Sequence, residues 1–230
     1  MKILSNYHNL QVLFEDNHLI IINKRTGDII QGDKTKDTPL VEIVKEYLKI
    51  KHDKPGNVYL GVIHRIDRPT SGIVMFAKTS KALSRMNAML KNQDVNKLYW
   101  AITQNKPDNK TGKLIHWLRK NPKNNKSTHF SKETANTKKA VLNYRILKTL
   151  DNYYLLEIKM ESGRHHQIRC QLQAIGCPIK GDIKYGSKRT NKDGSIDLHA
   201  RNLQLIHPVT KKEIDITAPV RDEKIWKSCI

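Results

Sequence analysis

Short runs of apolar residues, several of them rich in β-branched side chains, alternate along the chain with polar connections. Runs of this length, bounded by turn residues, are typical of β-strands. They predict two short strands around a turn within residues 11–24. Further strands are predicted at 58–63, 73–77, 97–102, 141–147, 153–160, 203–206 and 213–217.

Three other segments place apolar residues at helical spacing. In the first, Thr38 is the expected N-cap and Pro39 the first helical residue. The second covers about residues 80–90, and the third follows Ser162-Gly163 and ends at Gly176. Because strands outnumber helices and hairpin-length connections join several of them, we predict an α+β fold with a mixed, largely antiparallel sheet.

The pattern shows no internal repeat and no clear domain boundary, so we expect residues 1–230 to form a single domain. One segment, 119–139, stands out because it has seven Lys or Arg residues and one Glu. We predict a long hairpin loop or a mobile arm there. Two interpretations of this basic arm stay open, namely a solvated insert and a contact with nucleic acid.

The charge of the whole chain indicates its partner. Lys and Arg number 42 against 22 Asp and Glu, a formal net charge of +20, which favours a polyanion, with RNA or DNA first. We expect no membrane association, because no apolar run approaches the roughly 20 residues that span a bilayer. Three cysteines without a CxxC pair and the lack of a signal-peptide core predict a cytoplasmic protein with no disulfide framework and no metal site.

Candidate chemistry centres on the polar loop at residues 64–72, which lies between two predicted strands. Asp67 is flanked there by Arg65 and Arg68, and opposite charges nearby lower the pKa of a carboxyl group. Arg169, near the start of the third helix, could form a bidentate pair with the same carboxylate. A structural bridge without chemistry and a catalytic carboxylate are both compatible with this pattern.

The loop sequence HRIDRPTSG resembles the HRLD-x-x-TSG motif of the RluA-type pseudouridine synthases. Five other segments resemble further motifs of that family, in the family's order, so that the resemblance covers about residues 12 to 220. It differs from the family's pattern at His165, at Gln171 and in the basic arm. The five segments are FEDNHLIIINK, KLYWA, GRHHQIR, KGDIKYG and LHARNLQLIHPVT with the later APV.

This resemblance implies the pseudouridine synthase fold and the isomerisation of uridine to pseudouridine in structured RNA, namely a stem-loop of rRNA or tRNA. It implies no cofactor and no metal, since the reaction involves neither redox change nor net hydrolysis. We expect a monomer without an obligate protein partner. Because the matched core begins about a dozen residues from the N-terminus, we expect no S4-type RNA-binding domain in front of it.

The resemblance also assigns catalytic residues. Asp67 corresponds to the essential aspartate, which attacks the nucleotide or removes a proton from its sugar. Tyr99 corresponds to the tyrosine that stacks on the flipped base, although an ordinary strand aromatic is the alternative. Arg169 corresponds to the arginine that forms a salt bridge with the aspartate.

Four further residues are candidates for binding the substrate. Ile168 would form an apolar wall under the uracil, and Arg65 would occupy the gap that the flipped base leaves. His64 and Arg164, which lie in the same two motifs, complete the set. The alternative function is a non-catalytic RNA-binding or assembly factor on the same fold. A deaminase is disfavoured because the chain lacks the H-x-E and P-C-x-x-C patterns.

Overall fold

A computed structural model of the chain describes residues 5–230, which form eleven strands and four α-helices. The predicted α+β class is confirmed. The helices are α1 (Leu40–Lys51), α2 (Ser80–Asn92), α3 (Gln167–Ala174) and α4 (Lys224–Lys227). The strands are β1 (Val12–Glu15), β2 (Leu19–Lys24), β3 (Gly61–Val62), β4 (Ser71–Ala77), β5 (Val95–Thr103), β6 (Thr111–Asn121), β7 (Lys126–Phe130), β8 (Lys138–Thr149), β9 (Tyr154–Met160), β10 (Leu198–Ile206) and β11 (Glu213–Thr217).

The described residues group into two compact units, although the sequence shows no clear boundary. The first unit contains the residues up to Asn96 together with Ala200–Val220. The second contains Lys97–His199 together with Arg221–Ile230. Each unit therefore consists of two separate stretches of the chain.

In the first unit, β2 and β4 form the centre of a sheet in the order β1-β2-β4-β10-β11, and β3 pairs with the end of β4. The strands β2 and β4 are antiparallel, with Leu19 opposite Ala77 and Lys24 opposite Gly72. Every residue of both strands is buried. Helix α1 adds Leu40, Val44 and Leu48 to the same core.

The start of α1 corrects one prediction. Thr38 is not the N-cap; Pro39 holds that position and makes no side-chain capping bond. The N–H groups of Leu40 and Val41 donate instead to the carbonyls of Ile29 and Ile30. Backbone carbonyls thus satisfy two of the N–H groups that a helix start leaves open, and a threonine side chain is not needed.

In the second unit, the strand order is β5-β9-β8-β6-β7, and each neighbouring pair is antiparallel. Helix α3 packs against β6 and β7 through a core cluster of Leu118, Ala140, Cys170 and Tyr185. The basic arm is neither a long loop nor irregular over most of its length. It runs to the end of β6, turns at residues 122–125, returns along β7 and reaches β8 through residues 131–137.

Within the described residues, none of the helices is long and apolar enough to cross a membrane. All three cysteines are free and buried. Burial raises the pKa of each cysteine thiol to about 11. These thiols are therefore uncharged near neutral pH.

Candidate active site

The loop that contains Asp67 joins β3 to β4, and backbone contacts fix it at both ends. The N–H of Met75, in the middle of β4, donates to Nε2 of His64 over 3.2 Å. The N–H of Thr70 donates to the carbonyl of Asp67 over 3.0 Å and closes a turn. Asp67 itself is half-buried. The carboxylate is thus presented from a loop held on a buried strand.

The two arginines that flank Asp67 in the sequence have partners outside the loop. Nη1 of the exposed Arg65 donates to Oε1 of Gln31 over 3.0 Å. Nη2 of Arg68 lies 2.7 Å from Oδ2 of Asp37. Arg65, with its exposed side chain and the neutral partner Gln31, is therefore accessible to a polyanion.

Beneath this loop lies Lys24, which the sequence placed at the end of a motif without giving it a role. Its side chain is fully buried, and Nζ donates to the carbonyls of Arg25, Asp28 and Arg68 over 2.8, 2.8 and 3.1 Å. Burial lowers the pKa of Lys24 to about 7, while the charges of Asp28 and Asp67 act in the opposite direction. Lys24 thus links the end of β2 directly to the residue after Asp67.

Of the candidates in the second unit, Tyr99 lies on β5 opposite Ile158 of β9 and is 8% exposed. Ile168 and Arg169 lie in the first turn of α3 and are buried. Arg164 lies before that helix and is exposed, with Nε donating to the carbonyl of Lys139. The structure thus places Arg164, Ile168 and Arg169 together around the start of α3.

Gln167 organises the start of α3. Its Oε1 accepts hydrogen bonds from the Ser162 hydroxyl and the Arg164 N–H, and its Nε2 donates to the carbonyl of Val141. His166, the N-cap residue, adopts a left-handed conformation with φ of 52°. Because side-chain bonds fix this turn, Ile168 and Arg169 follow in a defined orientation.

The partner of Arg169 that the sequence did not assign is Asp182. Nε and Nη2 of Arg169 donate to the two carboxylate oxygens over 2.7 and 2.8 Å, and both side chains are buried. The guanidinium also lies 5.0 Å from the ring centroid of Tyr185. Asp182 and Tyr185 both belong to the KGDIKYG segment. The sequence therefore identified the motif but did not predict that it pairs with Arg169.

Tyr185 extends this network to β7 and to the start of α3. Its hydroxyl oxygen accepts a hydrogen bond from the N–H of Ser127 over 2.7 Å and lies 2.9 Å from Nδ1 of His166. Burial raises the pKa of Tyr185 to about 12. The hydroxyl therefore stays protonated and can donate to His166.

The two departures from the family's motif each make specific contacts. His165 lies 2.9 Å from the Ser127 hydroxyl through Nδ1 and 3.1 Å from Asn125 through Nε2. Nε2 of Gln171 donates to the carbonyls of Leu114 and Ala140 and lies 3.1 Å from Nδ1 of His116. Both residues therefore attach α3 to the β6–β7 hairpin.

In the described part of the chain, no group of three His, Cys, Asp or Glu residues could hold a metal ion. The first unit offers a carboxylate on a fixed loop. The second unit offers a buried guanidinium, a buried apolar side chain and a tyrosine.

Comparison with known proteins then decides the family. The family profile described as RNA pseudouridylate synthase matches residues 18–174. The chain belongs to this RNA pseudouridylate synthase family. Membership of its RluA-type group, indicated by the six motifs, is confirmed.

Several relatives of known name support this placement. The chain is 32% identical to ribosomal large subunit pseudouridine synthase C of Vibrio cholerae, over 91% of this chain and 65% of the relative. It is 33% identical to synthase C of Rickettsia felis, over 94% and 68%. It is 31% identical to ribosomal large subunit pseudouridine synthase D of Zymomonas mobilis, over 91% and 68%. The chain thus spans about two thirds of the length of these pseudouridine synthases.

Two solved structures share the fold of this family member. Human RNA Pseudouridylate Synthase Domain Containing 4 gives a TM-score of 0.77 at 22% identity, over 95% of this chain and 91% of that one. Human RNA Pseudouridylate Synthase Domain Containing 1 gives 0.74 at 21% identity, over 98% and 89%. The expected pseudouridine synthase fold is therefore confirmed.

Proposed function

We propose that this protein isomerises specific uridines of large-subunit ribosomal RNA to pseudouridine. The observation that carries the proposal is the HRIDRPTSG loop, which lies inside the matched family region and is fixed on β4. Relatives named for the large ribosomal subunit support the RNA class. The net charge of +20 supports binding to a polyanion.

The reaction conserves every atom of the nucleotide. The bond between C1′ and N1 breaks, the uracil turns, and a bond between C1′ and C5 forms. C5 loses its hydrogen as a proton, and N1 takes up a proton, so the composition of the nucleotide is unchanged. We assign the essential carboxylate to Asp67, on the fixed loop of the first unit. Tyr99 is the proposed aromatic contact with the base, and Arg169 is the proposed cation at the reacting carboxylate.

The remaining candidates are proposed to bind the substrate. Ile168 would supply an apolar wall for the uracil, consistent with its burial at the start of α3. Arg65 and Arg164 are exposed cations, suited to phosphates and to the gap that a flipped base leaves. His64, whose ring is fixed by the N–H of Met75, holds the loop in place and is the fourth candidate.

The test is tritium release from RNA labelled at C5 of uridine. The wild type should release tritium from large-subunit rRNA fragments, whereas Asp67→Asn should lose nearly all release while it still binds the RNA. The matched control is Asp151→Asn, which removes an exposed carboxylate from a turn of the second unit and should keep wild-type activity.

Equal release by the wild type and Asp67→Asn would contradict the assignment of the carboxylate. No release from any RNA, with binding intact, would favour the alternative of a non-catalytic RNA-binding or assembly factor. Release from tRNA but not from rRNA fragments would replace the proposed substrate.

The finer expectations are part of the same proposal. We propose that the target uridine lies in a stem-loop, where flipping a base costs least. We also propose a monomeric, cytoplasmic enzyme that acts as a single catalytic domain. Gel filtration with light scattering would test the monomer, and a dimer at micromolar concentration would contradict it.

A further inference from the structure

The hairpin formed by β6 and β7 presents a row of aromatic and cationic side chains on one face of its sheet. Trp117 on β6 lies directly opposite Phe130 on β7 and opposite Lys139 on β8. Residues paired in this way point to the same side of a sheet, and Arg119 lies two positions further along β6 on that side. We call Trp117, Arg119, Phe130 and Lys139 the hairpin face.

The cations of the hairpin face lie over its rings. The guanidinium of Arg119 is 4.7 Å from the ring centroid of Phe130, and Nζ of Lys139 is 6.0 Å from that of Trp117. Both cations are exposed, and both rings are partly exposed. The face therefore combines two partly exposed aromatic rings with two exposed positive charges.

The surroundings of the hairpin face are strongly basic. The basic arm that includes three of its four residues contains seven Lys or Arg residues, and its only acidic residue is Glu133. Such a charge pattern attracts phosphates. Aromatic side chains between the charges provide surfaces on which bases can stack.

Phe130 also forms part of the wall of a cavity of about 480 Å³ at the end of β7, whose other lining residues are His116, His129, Ser131, Lys132 and Thr134. Burial and the neighbouring His129 lower the pKa of His116. Its ring is therefore neutral near pH 7. The cavity is large enough for one nucleobase and offers it an aromatic wall and a hydrogen-bonding imidazole.

We propose that the hairpin face binds an unpaired segment of RNA, with bases stacked on Trp117 and Phe130 and phosphates bound by Arg119 and Lys139. The proposal rests on the proposed function for the identity of the nucleic acid as RNA. It adds a binding surface that consists of strand residues of the second unit. A segment with unstacked bases is required because the rings cannot reach the faces of bases that are already stacked within a duplex.

The experiment compares binding of two RNAs of equal length, a hairpin with a long single-stranded loop and a fully paired duplex. The apolar variants Trp117→Leu and Phe130→Leu should each weaken binding of the loop RNA about tenfold or more. They should leave duplex binding and the salt dependence unchanged. Circular dichroism confirms that each variant keeps its sheet.

The charge variants Arg119→Gln and Lys139→Gln test the other half of the proposal. Each should lower the slope of log K against log salt by roughly 0.7, the value for one phosphate contact with a single strand. The matched control is Lys120→Gln, because Lys120 is exposed and adjacent to Arg119 but points to the opposite side of the strand. It should change loop binding less than either variant of the face.

Two results would overturn the proposal: unchanged loop binding in both leucine variants, and equal losses for loop and duplex RNA. Failure of the proposed function is recognised separately. If the wild type binds loop RNA through these residues but releases no tritium, the surface stands and the isomerase assignment fails. Conversely, Trp117→Leu could still release tritium from a short substrate and still bind loop RNA as the wild type does. That result would reject only the proposed surface.

Discussion

Lys24 shows how one buried side chain connects the core of the first unit to its candidate catalytic loop. Three carbonyl oxygens surround Nζ, and they match the three N–H donors of a charged ammonium group. Burial opposes that charge and lowers the pKa of Lys24 to about 7. Because of these two effects, the stability of the loop that contains Asp67 depends on whether the Lys24 amine is charged.

This pKa predicts a pH dependence of stability. The unfolded chain holds the Lys24 proton up to its ordinary pKa of 10.5, whereas the folded protein loses it above about 7. The unfolded state therefore binds more protons in that window, and the contribution of Lys24 to the free energy of unfolding rises with pH. From about pH 7 to about 8.5 the rise should be roughly 1 to 2 kcal/mol.

The measurement is urea denaturation of wild type, Lys24→Met and the surface variant Lys45→Met at both pH values. Lys24→Met should be less stable throughout, because it leaves three buried carbonyls without their donor, and it should lack the rise. Lys45→Met should show the wild-type rise. The same rise in Lys24→Met would assign the effect to another group.

At the scale of elements, Gly72 explains why β4 can follow the candidate catalytic loop so closely. Gly72 has φ of +108°, and a Cβ atom at this position would lie 2.3 Å from the carbonyl oxygen of Ala200 on β10. Both the backbone conformation and the approach of the two strands therefore require glycine.

Gly72→Ala should accordingly destabilise the protein by more than about 2 kcal/mol, because it adds backbone strain to a clash with the backbone of β10. Gly56→Ala is the matched control, since a Cβ there meets no atom within 4 Å. Thermal unfolding of the two variants measures the difference. Equal midpoints for the two variants would show that β10 shifts to accept the methyl group.

The strands differ in how well the sequence predicted them. Strands β2 and β4 were predictable because all of their residues are buried and their apolar runs are unbroken. Strands β6 and β7 were missed because each contains a single fully buried residue and several exposed positions hold Lys, Arg or Asn. The candidate residues were identifiable from their motifs, whereas the Asp182 partner of Arg169 depends on tertiary packing.

At the scale of the whole molecule, the excess of positive charge is the dominant long-range property. The net charge of +20 is spread over a chain of 230 residues. Each Lys or Arg that neutralises a phosphate releases a condensed counterion, so RNA binding becomes weaker as salt rises. Charge at this scale acts on any polyanion, whatever its sequence.

We therefore predict that affinity for a large-subunit rRNA fragment falls about a thousandfold between about 50 and 200 mM salt, as for a protein with six or more phosphate contacts. Fluorescence anisotropy titrations at four salt concentrations measure the slope. Unfolding midpoints without RNA in the same buffers serve as the control for the protein itself. A fall of less than tenfold would mean that few of these charges contact the RNA.

The division of each unit into two stretches of chain also determines the order of events during synthesis on the ribosome. The sheet of the first unit needs β10 and β11, which are translated after nearly all of the second unit. The second unit in turn includes residues 221–230, in which the buried Trp226 donates from its indole to Asp197. Neither unit can be completed while the polypeptide is still growing through residue 200, so a nascent chain stalled there would expose unpaired strands to chaperones and proteases.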